Sequence, residues 1–269
     1  MCPFPLALLS LFRTFSLSFL FIPPIIIIYP TNPMNTPIRN RKGFTLIELL
    51  TVIAIIGILA AVLFPGVQGV MKKAKQSTAQ TKVRNIAQSY IAFASTGNKF
   101  VKQGAWSLTA PTQANSVADF GAVLSYNSNL NSAELWYVEA DQLNESAAFP
   151  KQVLIGAAGS QTVDPNFATG SVQYGYHSWT TFVPTPRNID EKIPLFWARG
   201  LTTAGKWDNT TGVWGAEGGH IAFGDSHVGW FQDTASDDTK FVSKKTAGTM
   251  SANWQDAVSV GTVTELKSK

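Results

Sequence analysis

The feature that most limits this chain is a run of twenty-one residues, Phe44 to Phe64, with a single charge, Glu48. Wound as an α-helix, the run is about 31 Å long, the thickness of a bilayer's hydrocarbon core. The helical pattern does not stop there. From Pro65 to about Thr96, Val67, Val70, Met71, Ala74, Thr78, Thr81 and Tyr90 recur at helical spacing. Lys72, Lys73, Lys75, Lys82 and Arg84 fall on the polar faces. Gly97-Asn98 is a stop signal. The expectation is one helix over 44–97, transmembrane over 44–64 and amphipathic over 65–97. Such a rod, about 80 Å long, has no place inside a globule of this size.

The residues before the run divide in two. Residues 1–30 are apolar but broken by Pro3, Pro5, Pro23, Pro24 and Pro30, and proline inside a helix costs about 3 kcal/mol. Met34 to Gly43 is a short, polar, basic leader. We therefore expect translation to begin at Met34, with 1–33 either outside the translated chain or an extra hydrophobic leader.

Charge excludes one class of function. The chain has 21 basic and 17 acidic side chains. Arg13, Arg39, Arg41 and Lys42 lie in residues 1–43, which contain no acid. The remainder is neutral (21 − 4 = 17 against 17) and has no electrostatic footprint for nucleic acid. The sole cysteine, Cys2, excludes an internal disulfide framework and a thiolate zinc cluster.

Residues 98–269 read as a mixed α/β head holding all eight tryptophans. Ser116 is placed to cap a short helix with Val117, Phe120 and Leu124 on one face. Glu134–Glu139, Gln152–Ile155, Val172–Tyr176 and Ile193–Ala198 read as strands. Around Gly224-Asp225-Ser226 the pattern predicts a β-hairpin. A two-residue loop would put Ile221, Phe223, Val228 and Trp230 on one face and His220, Ala222, His227, Gly229 and Phe231 on the other. His220, His227 and Asp225 are a candidate metal set. Asp233, Asp237 and Asp238 are a candidate calcium loop. The reading adopted is no cofactor, with hydrogen-bonded histidines and a solvated acidic loop. Tryptophan is more often core than sugar platform, and no nucleophile–base motif, phosphate loop or paired-carboxylate spacing specifies an enzyme.

Arg41-Lys42-Gly43-Phe44-Thr45-Leu46-Ile47-Glu48-Leu49-Leu50, continued through Gly57 to Pro65, resembles the cleavage and methylation motif of type IV prepilins and type II secretion pseudopilins. The resemblance implies a pilin-like α+β fold, a long N-terminal helix packed on a head with an antiparallel sheet. Arg41 and Lys42 would hold the leader on the cytoplasmic face. Cleavage would follow Gly43, and the amine of Phe44 would be methylated. Glu48, expensive in lipid, would be compensated by a neighbouring subunit's amine during assembly. Gly57 and Pro65 would let the helix bend as subunits pack. The implied partners are other pilin or pseudopilin subunits, a prepilin peptidase and an inner-membrane assembly platform. The implied location is a single-pass inner-membrane protein with its head outside, later a filament. Basic residues on both sides of the span leave charge alone unable to orient it.

Glu217 to Phe231 also resembles the C-terminal signature of a pilin-like group of planctomycetes, verrucomicrobia and their relatives. Asp225, His227 and Val228 match, Gly215 stands where that signature has histidine, and Ser226 replaces its glycine. A rival to the filament subunit is a membrane-tethered protein whose head binds a glycan or metal. A tethered hydrolase using His220, Asp225 and His227 is a third class. A filament needs Phe44 and Glu48, whereas a tether needs only hydrophobicity there.

Overall fold

The computed structural model describes residues 43–97, 99–186, 189–258 and 263–266. The expectations for residues 1–33, for the leader up to Lys42, and for Arg41 and Lys42 lie outside the described residues.

Helix α1 runs Leu46–Ser95, fifty residues with Pro65 inside it. Proline has no N–H to donate, so the carbonyl four residues earlier loses its intrahelical partner, but the helix continues. From Leu46 to Met71 the large apolar side chains are exposed. By length and composition this helix can cross a membrane.

Burial begins at Ala79 and follows Lys82, Val83, Ile86, Ala87, Tyr90, Phe93 and Ala94. This corrects the expected stripe. Of its seven members only Tyr90 is buried, and Val67, Val70 and Met71 remain exposed. Lys82, expected on a polar face, is buried. Its Nζ donates to the Tyr137 carbonyl at 3.1 Å and lies 3.8 Å from Glu134 Oε1. The long aliphatic stem packs while the ammonium keeps polar company.

Helix α2, Val117–Ser128, starts as expected. Ser116 Oγ accepts from Asp119 N at 3.1 Å, and Asp119 Oδ2 accepts from Asn115 N. Five strands form an antiparallel sheet: β1 Trp179–Val183, β2 Pro194–Ala198, β3 Gly219–Phe223, β4 Val228–Phe231 and β5 Thr264–Leu266. Their order is β5-β1-β2-β3-β4. Alternation along β2 gives the sheet two buried faces. Phe196 meets Tyr90 and Phe120 at centroid distances of 6.1 and 5.4 Å, joining the sheet to α1 and α2. Trp197 points the other way, onto Phe182 at 6.2 Å and Trp254 at 4.5 Å. Trp254 belongs to a short helix, Trp254–Val258. Antiparallel pairing and the long apolar helix together bear out the mixed α/β class.

Two expected strands are absent. Ala133–Trp136 is a 3-10 turn, and Trp136, Tyr137 and Val138 are buried consecutively, without alternation. Backbone groups there bond to Lys82, Ser178 and the Trp179 indole instead of to a ladder. Residues 172–176 reverse direction, because Ser171 and Gly175 exchange both backbone hydrogen bonds. The 152–155 strand shortens to Leu154–Ile155.

Candidate functional site

Two groups of residues were singled out, the N-terminal motif and the β3–β4 hairpin. At the N-terminus, Thr45 N and Oγ1 both donate to Glu48 Oε2, at 2.9 and 2.8 Å. Glu48 N returns a bond to Thr45 Oγ1 at 3.3 Å. This reciprocal pattern is a capping box, in which the first helical turn's orphan donors are satisfied by a Thr-x-x-Glu pair. Glu48 therefore acts as the helix's own N-terminal acceptor as well as a lone acid in an apolar run. The Thr45/Glu48 spacing was the signal for this role, and the emphasis on Glu48's charge hid it. Gly43 and Phe44 precede the helix, and Phe44 is exposed. A side chain at Gly57 would meet nothing within 4 Å. No contact among the described residues demands glycine there.

The hairpin forms where expected, with a different register. Phe223 N donates to His227 O at 3.0 Å and Ser226 N to Phe223 O at 2.9 Å, so the loop has three residues, Gly224-Asp225-Ser226. Ser226 has φ 67, the left-handed residue that closes such loops. The odd loop length changes the pairing parity. His220 lies opposite Trp230, and Ala222 opposite Val228. The faces therefore differ from the expectation: Trp230 and Val228 join His220, while Phe231 and His227 join Phe223. Gly215, where the resembled signature has histidine, has φ 59, which suits glycine better than histidine.

The candidate metal residues are not gathered. His220 is buried, with its ring 5.0 Å from Trp230, 6.2 Å from Trp214 and 6.5 Å from Trp179. Its Nδ1 has no hydrogen-bond partner among the described residues. Burial pushes its pKa down to about 4, so it is neutral at pH 7. His227, on the other face, stacks on Phe223 at 4.4 Å and pairs with Asp225 Oδ1 at 2.5 Å. Asp225, His227 and Asp238 line an open cavity of about 270 Å³ with Lys192, Lys240 and Phe231. Asp233 is consumed by its own loop. It accepts from Ala235 N, Ser236 N, Ser236 Oγ, Thr239 Oγ1 and Lys206 Nζ, and these bonds, led by Ser236, hold its carboxyl below the usual range. Asp237 pairs with Lys240. Among the described residues no group of three metal-binding side chains is placed to hold an ion.

None of the eight tryptophans is exposed, and Trp136, Trp179, Trp197 and Trp254 are fully buried. A buried network escaped the sequence reading altogether. Arg199 Nη2 contacts both oxygens of Asp141, at 2.7 and 2.8 Å. Its other nitrogens donate to the carbonyls of His177 and Thr211. Ser178 Oγ and Leu143 N donate to the same carboxylate. The two charges lie 58 residues apart and no local pattern announces them.

Comparison with known proteins bears on the first of the two groups. The model of the prokaryotic N-terminal methylation motif matches residues 38–64. The chain is 64% identical over 39 residues to the type IV wide pilus major component PilA4 of Thermus thermophilus, covering 14% of this chain and 30% of that one. It is 44% identical over 62 residues to the type IV major pilin protein PilA of Myxococcus xanthus, covering 23% and 28% respectively. A fimbrial protein of Moraxella nonliquefaciens is 58% identical over 41 residues, 15% of this chain and 27% of that one. The chain thus spans less than a third of the length of these curated relatives. No solved structure matches it significantly. The methylation-motif match and these partial relatives make a short part of the chain similar to type IV pilins.

Proposed function

We propose that the chain is a structural pilin-like subunit, not an enzyme, that is processed between Gly43 and Phe44 and polymerises. The reading rests on one observation: the methylation motif matched over 38–64 overlaps an exposed apolar helix that starts at Leu46. The helix anchors the subunit in the inner membrane with its head outside. A prepilin peptidase removes the leader held by Arg41 and Lys42 and methylates Phe44. An inner-membrane platform then assembles the subunits into a type II secretion pseudopilus or a type IV pilus-like filament. Gly57 and Pro65 are the points at which the helix adjusts to its neighbours.

Glu48→Gln tests the assembly step. Glutamine also completes a capping box, so the helix start survives while the charge is lost. The expected result is normal membrane insertion, normal cleavage, and a fall in the ratio of sheared, pelletable filament to membrane monomer. Assembly equal to wild type would remove charge pairing from the mechanism. Mass spectrometry of the N-terminal peptide tests processing. A dominant Arg41-Lys42-Gly43-Phe44 junction in native membranes would overturn the prepilin reading.

A further inference from the structure

After Glu48, the next charge along α1 is Lys72. The uncharged stretch between them, Leu49 to Met71, is 23 residues (71 − 49 + 1), about 35 Å of helix. Its apolar side chains stay exposed up to and including Met71. Lipid covering this stretch, in place of the 44–64 span expected from the sequence, puts Glu48 at one boundary and the headgroup layer of the other at Lys72–Lys75.

At that level the structure has a groove of about 370 Å³, with Met71, Lys72 and Lys75 of α1 on one wall and Gln142, Trp214 and Glu217 of the head among the rest. Lys72 and Glu217 pair across it and neutralise one another. Lys75 has no ion-pair partner among the described residues, so the groove carries one uncompensated positive charge. An ammonium beside a thioether wall suits a ligand that is anionic at its head and apolar below.

We propose that this groove seats the headgroup of an anionic phospholipid, with Lys75 on the phosphate. The proposal rests on the membrane-anchored reading above. It also gives a use to basic residues on the head side of the span, which the positive-inside tendency leaves unexplained.

The experiment uses the full chain in phosphatidylcholine vesicles with and without phosphatidylglycerol, followed by gentle detergent extraction and native mass spectrometry of retained lipid. Wild type should retain phosphatidylglycerol in preference to phosphatidylcholine. Lys75→Gln should cut that retention about fivefold, the effect of one lysine near an anionic surface. Lys73→Gln is the decisive control, because Lys73 is an exposed residue beside the groove that does not line it. Equal losses for Lys73→Gln and Lys75→Gln would mean a diffuse basic surface and would overturn the groove. Displacement of the lipid by soluble glycerol phosphate would mean a free-phosphate site and would also overturn it. Extraction of wild type from vesicles by alkaline carbonate would instead overturn the anchor reading itself. Integration with no preference for phosphatidylglycerol would overturn only this proposal.

Discussion

Met71 and Tyr90 belong to the same helix, about five turns apart, and meet opposite surroundings. Met71 is 56% exposed, and Tyr90 is fully buried against Phe120 and Phe196. One secondary structure therefore carries two kinds of apolar surface. Among the described residues, those around Tyr90 are covered and those up to Met71 are exposed. Helical spacing could not separate them, because both halves are rich in apolar residues. What separates them is the partner, and the described residues supply one to the Tyr90 half alone.

The contrast can be broken most sharply by making one substitution twice. Ile86→Ala removes a fully buried side chain and should cost the head about 2–5 kcal/mol. Ile56→Ala, at an exposed position, should leave head stability unchanged. Tryptophan fluorescence during denaturation reads the head alone, since all eight tryptophans lie beyond residue 98. Equal effects would mean that the two halves share one cooperative unit.

The next largest effect is acid. His220 is neutral in the fold with its pKa near 4, against 6.5 when exposed. Its contribution is present in full above pH 6.5 and is lost as pH falls toward 4, when the unfolded chain binds the proton first. The swing is on the order of 3 kcal/mol. His220→Phe should lessen the stability–pH slope between 6.5 and 4, leaving the share of His177, which burial pushes down to about 3. An unchanged slope would show that the imidazole is not sealed among Trp179, Trp214 and Trp230.

A smaller effect tests the sheet's close packing. A Cβ at Gly219 would come within 2.5 Å of the Trp207 ring. Gly219→Ala should cost about 1–3 kcal/mol by calorimetry, while Gly57→Ala, in open space, should cost the head nothing. The smallest effect is a gain. Ser226 holds a left-handed backbone, so Ser226→Gly should stabilise the head by up to about 1 kcal/mol. A destabilised Ser226→Gly would show that the hydroxyl matters more than the backbone.

How far the sequence could be read follows the same division. The start of the helix, its apolar run and the motif were legible because they are local, set by composition and by spacings of three or four residues. Ser116 was legible for the same reason. The hairpin's position was legible, but its parity turned on whether its loop had two residues or three, and residue types did not decide that. The segment at Glu134–Glu139 misled because its backbone partners, Lys82 and Ser178, are about 40 to 55 residues away. The Arg199–Asp141 pair was illegible for the same reason.

One bond between α1 and the sheet has a consequence for how copies of this chain can meet. Strand β4 is an edge of the sheet, and edges are where stray strands attach. Gln80 Nε2 of α1 donates to the Val228 carbonyl at 2.9 Å, occupying an acceptor on that edge. The helix thus guards the sheet's flank as well as covering its face. A copy approaching from this side finds a side-chain amide already in place, and growth by strand addition is discouraged there. The same helix leaves its apolar turns uncovered, so the fold closes one route to self-association and keeps the other open.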